Sequence, residues 1–258
     1  MTHPRLAGLR VYPVKGLNGI EVDAAAVREG GTLAFDREYA LFDATDEVVN
    51  GKRTPRVHDL ATDFDPATGT YSVETPAGER HAFDLPADRE RAAAFFGEFF
   101  ELDLRLARDG TQGFPDRPSA GPSVVSTATL REVASWFDDL SVESVRRRLR
   151  TNVEVAGVPA FWEDRFAGAD APTFSIGGVQ FECVTPCGRC VVPERDPDTG
   201  EPTPEFRERF VERRRETFPA WADADAFDHH YTLTLIARIP EADRGTRLTV
   251  GDDVAVQS

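Results

Sequence analysis

The stretch TFSIGGVQFECVTPCGRC (173–190) opens as a β-hairpin. Gly177-Gly178 is a two-residue turn of the kind that joins antiparallel strands, and Val179, Phe181 and Cys183 then alternate along the returning strand. Working outward, GLRVYPVKG (8–16), REYALFDAT (37–45), LDLRLARD (102–109), NVEVAG (152–157), YTLTLIARI (231–239) and RLTVGDDVAVQ (247–257) also read as strands. A second hairpin is expected in 70–85 around Pro76-Ala77-Gly78. Helices are expected over 87–102, 127–137, 141–150 and 203–218, the second capped by Ser126 or Thr127. Strands dominate, no βαβ rhythm is visible and no internal repeat occurs. The fold class is α+β, mainly β: a β-barrel-like core with helices attached, not a Rossmann fold. The Gly-, Pro-, Asp- and Ser-rich run DGTQGFPDRPSAGP (109–122) reads as the linker between two domains.

The 258 residues suffice for one large or two modest domains with a real core. Thirty basic residues face 45 acidic ones, a net charge of -15, so nucleic acid is not an expected partner. Only Lys15 and Lys52 are lysines. Acid excess with so little lysine fits a salt-adapted, halophilic cytosol; an acidic surface arising in a GC-rich genome is the alternative. No membrane span and no signal peptide are expected, which points to a cytoplasmic protein with reduced thiols.

All three cysteines, Cys183, Cys187 and Cys190, fall in the opening stretch. Several chemistries compete for them. Cys187-x-x-Cys190 is half of a zinc site, with Cys183 and His229 or His230 as further ligands, although nothing in the sequence places those histidines nearby. C-x3-C-x2-C is also the spacing of radical-SAM iron–sulfur enzymes, but the βα rhythm of those barrels is missing. A thioredoxin-like pair wants a helix start, which Pro193 and the acidic loop after it oppose. A single thiolate on a soft metal such as molybdenum or copper is the fourth reading, with Arg189 supplying charge to an anionic cofactor. Cys183, in phase with Val179 and Phe181, reads as a small core residue. Inert packing of the Cys187–Cys190 pair stays open beside these.

Cations stand in unlikely places: Lys15 directly after a strand, Arg37 opposite a hydrophobic strand, Lys52 and Arg53 within NGKRTPRV, and Arg150 with Asn152 at a helix-to-strand junction. Gathered in one cleft, they would bind a phosphate or pyrophosphate.

The pattern YPVKG…FDREYALFD…NGKRTPRV…LRTNVEV…GGVQFECVTPCGRCVVPERDPDTGE resembles the MOSC-domain proteins that carry an N-terminal MOSC β-barrel domain. These are relatives of the C-terminal domain of molybdenum-cofactor sulfurase and of the mitochondrial amidoxime-reducing component. The resemblance covers nearly the whole chain and is most specific in PCGRC…DPDTGE (186–201). It implies an N-terminal β-barrel-like domain (1–112) packed on a MOSC β-barrel (113–258), with molybdopterin, the molybdenum cofactor, bound between them. By the same resemblance Cys190 is the molybdenum ligand and catalytic centre. Lys15, Gly16, Arg37, Arg150, Asn152 and Tyr231 contact the cofactor, with Gly188 and Arg189 flanking the thiol. Gly16 and Gly188 stand where relatives often have serine, and Ser119 is the best match to a run of cofactor-contacting hydroxyls.

The implied activity is two-electron reduction of N-hydroxylated or N-oxide substrates. A plant-type iron–sulfur domain needs four cysteines, and neither a fused ferredoxin module beyond Ser258 nor a GxGxxG run is expected. The electron donor is therefore expected to be a separate ferredoxin or flavoprotein. A molybdenum-cofactor carrier or sulfur-transfer protein is the alternative, and a non-catalytic zinc-binding domain the second.

Overall fold

The predicted hairpin forms: β11 (Thr173–Ile176) and β12 (Val179–Gly188) pair antiparallel from Ile176↔Val179 onward. Gly177 (φ 56) and Gly178 (φ 87) both lie in the left-handed region that a tight two-residue turn requires. The structure is a computed structural model that describes residues 3–117 and 120–257. Around the hairpin it is α+β and mainly β.

The other elements, in chain order, are β1 (Arg5–Val11), β2 (Ile20–Val22), β3 (Ala24–Ala26), β4 (Tyr39–Asp43), β5 (Ala61–Asp65), β6 (Thr70–Glu74), β7 (Arg80–Asp84), α1 (Arg89–Phe100) and β8 (Leu104–Arg108). These are followed by β9 (Ser123–Ser126), α2 (Thr127–Ser135), α3 (Val142–Leu149) and β10 (Val153–Ala156), and after the hairpin by α4 (Phe206–Glu216), β13 (Thr232–Arg238), β14 (Arg247–Thr249) and β15 (Val254–Gln257).

Eight strands make the main sheet, in the order β15-β11-β12-β13-β9-β10-β1-β2. Its strand order is open, but Leu6 N donates to Asp252 O (2.8 Å) and Val254 N to Pro4 O (3.0 Å), which draws β1 toward the start of β15. The β9–β10 pair is parallel, while the other pairs of this sheet are antiparallel. A parallel pair needs a long crossover, and α2 with α3 supply it. Both helices of this connection are those expected from the sequence, and one crossover does not make a repeating βαβ rhythm. Ser126 caps α2 by accepting from Thr129 N, and Ser141 caps α3 in the same way.

Smaller sheets pair β4 with β8, β3 with β14, and β5-β6-β7 as a meander whose last hairpin turns at the predicted Pro76–Gly78. Three apolar clusters hold these layers. The first lies on the main sheet, where the Phe174 and Phe181 rings stack at 5.1 Å. The second joins Tyr39, Tyr71 and Leu106 to Phe96 of α1, and the third packs α2, α3 and α4 around Trp136 and Phe210. Truncating a ring such as Phe181, which is fully buried, costs about 3–5 kcal/mol.

Two register shifts interrupt β12 against β13, between Cys183 and Thr185 and again between Pro186 and Gly188. In a regular strand residues four apart share a face. Bulges re-aim side chains, so Cys183 packs against the core while Cys187 reaches a cavity wall.

Candidate functional site

Where the turn after β1, the turn before β4, residues 115–117 and 120–121, the end of α3 and the end of β12 converge, they enclose a cavity of about 200 Å³. Lys15, Arg37, Lys52, Arg117, Arg150 and Arg189 line it, against the acids Asp36 and Asp116. In a chain of net charge -15, this is a local inversion of sign. Cys187, Gly188 and Cys190 form part of the same wall.

The backbone presents two of these arginines in an unusual way. Arg37 (φ 49) and Arg150 (φ 53) are both left-handed, a conformation that is costly for a residue with a Cβ. Arg150 ends α3 there, its N–H donating to Arg146 O, and Arg37 N donates to Tyr12 O at 2.7 Å. Their guanidiniums lie over the buried Tyr12 ring, 4.9 Å away for Arg37 and 4.3 Å for Arg150. Arg37 has a counter-charge in Asp36 (2.5 Å), whose other oxygen accepts from Tyr12 N. Arg150 donates to Leu17 O (2.6 Å) and, among the described residues, pairs with no carboxylate. Burial draws its guanidinium below the ordinary pKa; Tyr12 opposes this and Arg37 adds to it.

Arg189 is held from several sides. Its Nη2 donates to Leu149 O (2.8 Å), and its Nη1 lies 3.3 Å from Cys187 Sγ and 3.5 Å from Thr234 Oγ1. Its Nε is buried with no acceptor among the described residues, and it too lacks a carboxylate partner there. Lys15 Nζ meets Asp116 Oδ1 at 2.8 Å, with Lys52 3.9 Å from the other oxygen. Burial works against the charge on Asp116, but Lys15, Lys52 and Arg37 outweigh it and hold the carboxyl at about 2.

Eight of the sequence-predicted residues thus line one cavity: Lys15, Gly16, Arg37, Arg150, Asn152, Gly188, Arg189 and Cys190. Asn152 has little left to offer a ligand. Its Oδ1 accepts from Ser123 N and Oγ (both 3.1 Å) and its Nδ2 donates to Arg10 O (3.0 Å), tying together the strands β9, β10 and β1. Tyr231 is not on the wall. Its hydroxyl donates to Cys190 O (3.3 Å) and lies 3.3 Å from Glu194 Oε1, while its carbonyl accepts from Arg189 N (2.9 Å), so it braces the backbone that carries the thiol. Ser119 lies outside the described residues; Arg117 and Ala120 on either side line the cavity.

Gly16 has φ 92, and a Cβ there would stand 2.8 Å from Val49 O, so serine does not fit this backbone. At Gly188 a Cβ would lie 3.4 Å from the His229 ring. That contact brings His229 beside the cysteine strand, which the sequence reading did not anticipate. Sequence reasoning also missed Asp36, Asp116 and His58 as lining residues. Asp116 lay hidden inside a stretch read as linker.

Among the described residues no three His, Cys, Asp or Glu side chains gather as a metal cage, and the three thiols are free. Burial of Cys183 pushes its thiol up to about 11, as suits a packed side chain rather than a ligand. Among the described residues the C-x3-C-x2-C spacing thus brings no three such ligands together. Unpaired guanidiniums, an orphaned buried Nε and one or two thiols fit an anionic group that brings most of its own metal ligands.

Fold and site together define a β-rich protein with a cationic, thiol-bearing cleft. The chain matches the MOSC N-terminal beta barrel domain over residues 3–143 and the MOSC domain over residues 118–255, and it belongs to the MOSC-domain family. Among its relatives, the molybdenum cofactor sulfurase of Caenorhabditis elegans is 32% identical over 101 residues, which is 39% of this chain and 13% of the relative. Mitochondrial amidoxime reducing component 2 of Bos taurus is 25% identical over 232 residues, 74% of this chain and 66% of the relative. The molybdenum cofactor sulfurase of Solanum lycopersicum is 23% identical over 246 residues, 76% of this chain and 29% of the relative. The chain spans less than a third of those two sulfurases.

Proposed function

We propose that the cation-lined cavity holds the molybdenum cofactor, with Cys190 as the protein's ligand to the metal, and that the chain reduces N-hydroxylated or N-oxide substrates with electrons from a separate ferredoxin or flavoprotein. The observation that carries this reading is the meeting of Arg150 and Arg189 at the end of α3, beside Cys187 and Cys190, with no carboxylate on either arginine among the described residues. When bound, the cofactor supplies two-electron redox chemistry that no side chain offers.

The chain's own residues bind and orient. Lys15, Arg37 and Arg150 hold an anionic group, the two arginines pre-set over Tyr12 so that little freedom is lost on binding. Asp116 tempers the field near Lys15 and Lys52. Tyr231 fixes the Cys190 backbone, and Arg189 lies against the Cys187 sulfur. Among the described residues no helix is long and apolar enough to cross a membrane.

Protein from a molybdenum-replete host is expected to contain near-unit molybdenum and to turn over an amidoxime with a chemical reductant. Cys190→Ala is expected to lose both. A Cys190→Ala protein with full molybdenum and full turnover would overturn the ligand assignment. The sulfurase relatives and the second thiol in the cavity favour one other reading, a cofactor carrier or sulfur-transfer protein, with Cys187 or Cys190 holding the sulfur. Transient molybdenum without turnover would select it.

A further inference from the structure

Beside the main cavity lies a smaller chamber of about 40 Å³, and the two share Arg150, His58 and Val192 in their walls. Arg10, Arg147, Arg148, Arg150 and Arg195 line the chamber, with no acidic residue among them. Three of these arginines spend charge on carboxylates outside the lining: Arg10 on Glu21 (2.5 Å), Arg147 on Asp198 (2.7 Å) and Arg148 on Asp196 (3.3 Å). Arg150 and Arg195 pair with no carboxylate among the described residues. Arg195 donates Nη1 to Gly200 O (2.9 Å), and its Nε, like that of Arg10, is buried without an acceptor among the described residues.

Converging guanidiniums with unspent donors call for an acceptor that several can share, and a tetrahedral oxyanion does this best. The size agrees. At roughly 10–15 Å³ per water, the chamber has room for about three waters, the footprint of a phosphate.

We propose that this chamber is a second anion site, filled by a phosphate-sized oxyanion: either free inorganic phosphate or a phosphoryl group of the ligand in the main cavity. Arg150, common to both walls, couples the two. The proposal does not depend on Cys190 binding metal.

Isothermal titration calorimetry on the full chain tests it, with inorganic phosphate and pyrophosphate as probes. The proteins are wild type, Arg195→Gln, Arg195→Lys and, for the main cavity, Lys15→Gln. Arg195→Gln is expected to weaken binding of at least one probe roughly tenfold, the loss of one charged hydrogen bond, and Arg195→Lys to restore part of it. Phosphate binding sensitive to Arg195→Gln but not to Lys15→Gln marks a free-anion site. Binding of pyrophosphate alone, weakened by both substitutions, marks a phosphoryl group shared with the main cavity. If Arg195→Gln does not fold, Arg147→Gln serves in its place with the same expectation. Absence of binding by wild type, or equal affinity for both probes in wild type and the folded variant, overturns the proposal.

Discussion

Arg214 and Arg150 are two arginines drawn away from water at the ends of helices, and the protein treats them in opposite ways. Arg214, in the last turn of α4, is 1% exposed and closes its charge on the buried Asp164 at 2.5 Å, between the rings of Phe161 and Phe218. Arg150 has an aromatic ring beneath it and one carbonyl to donate to, but no carboxylate among the described residues. Arg214 also leaves one buried nitrogen, Nη1, without an acceptor among the described residues. A single orphan donor therefore does not by itself mark a ligand site. The Arg214 charge is closed within the fold, whereas that of Arg150 meets no carboxylate among the described residues, which is what the proposed anion site draws on.

The comparison is open to direct attack. Asp164→Asn leaves Arg214 buried and unpaired, and the unfolding free energy is expected to fall by about 3–5 kcal/mol in urea titrations. A fall below about 1 kcal/mol would mean that the neighbouring Glu163 takes over as counter-charge, and Arg214 would no longer be a closed site. Arg150→Gln is expected to do the reverse. Unfolding should stay within about 1 kcal/mol of wild type, while affinity for phosphate or for the cofactor should drop about tenfold or more, as for a charged hydrogen bond lost. A large loss of stability in that variant would make Arg150 structural and erase the contrast.

The third probe is pH. Burial, with Asp164 alongside, raises the Glu163 carboxyl from 4.5 to about 8. The fold thus favours protonated Glu163. Its contribution is full below the unfolded value and is lost as pH rises through about 8, with a slope of up to about 1.4 kcal/mol per pH unit. Melting curves from pH 5 to 9 should show wild type losing stability relative to Glu163→Gln. Parallel curves would mean that Glu163 is already charged in the fold.

Much of this molecule was legible in its sequence. The Gly177-Gly178 hairpin, the Ser126 cap and the strand-rich, helix-poor order are short-range features, set by residues within a few positions of each other. The suspicion that Lys15, Arg37 and Arg150 serve one anion was also available, because cations at element ends are conspicuous in an acidic chain. Roles were harder to read than positions. Asn152 lines the cavity as expected and Tyr231 does not, and the polar atoms of both are spent on β-strand junctions and on the Cys190 backbone. Nothing in local sequence tells a hydrogen bond to a ligand from one to a distant carbonyl.

By itself, then, the sequence determined which residues carry charge and sulfur, and which short segments become strands, turns and helices. Tertiary structure alone decided which of them meet. Two bulges in β12 set Cys183 in the core and Cys187 on the cavity wall, although their spacing in a regular strand would give them one face. Likewise, Tyr12 lies between Arg37 and Arg150 only because β1 pairs with β10, nearly 150 residues away in sequence. Secondary structure follows from local propensity and periodicity, whereas strand register and long-range pairing depend on how the whole apolar surface is buried at once.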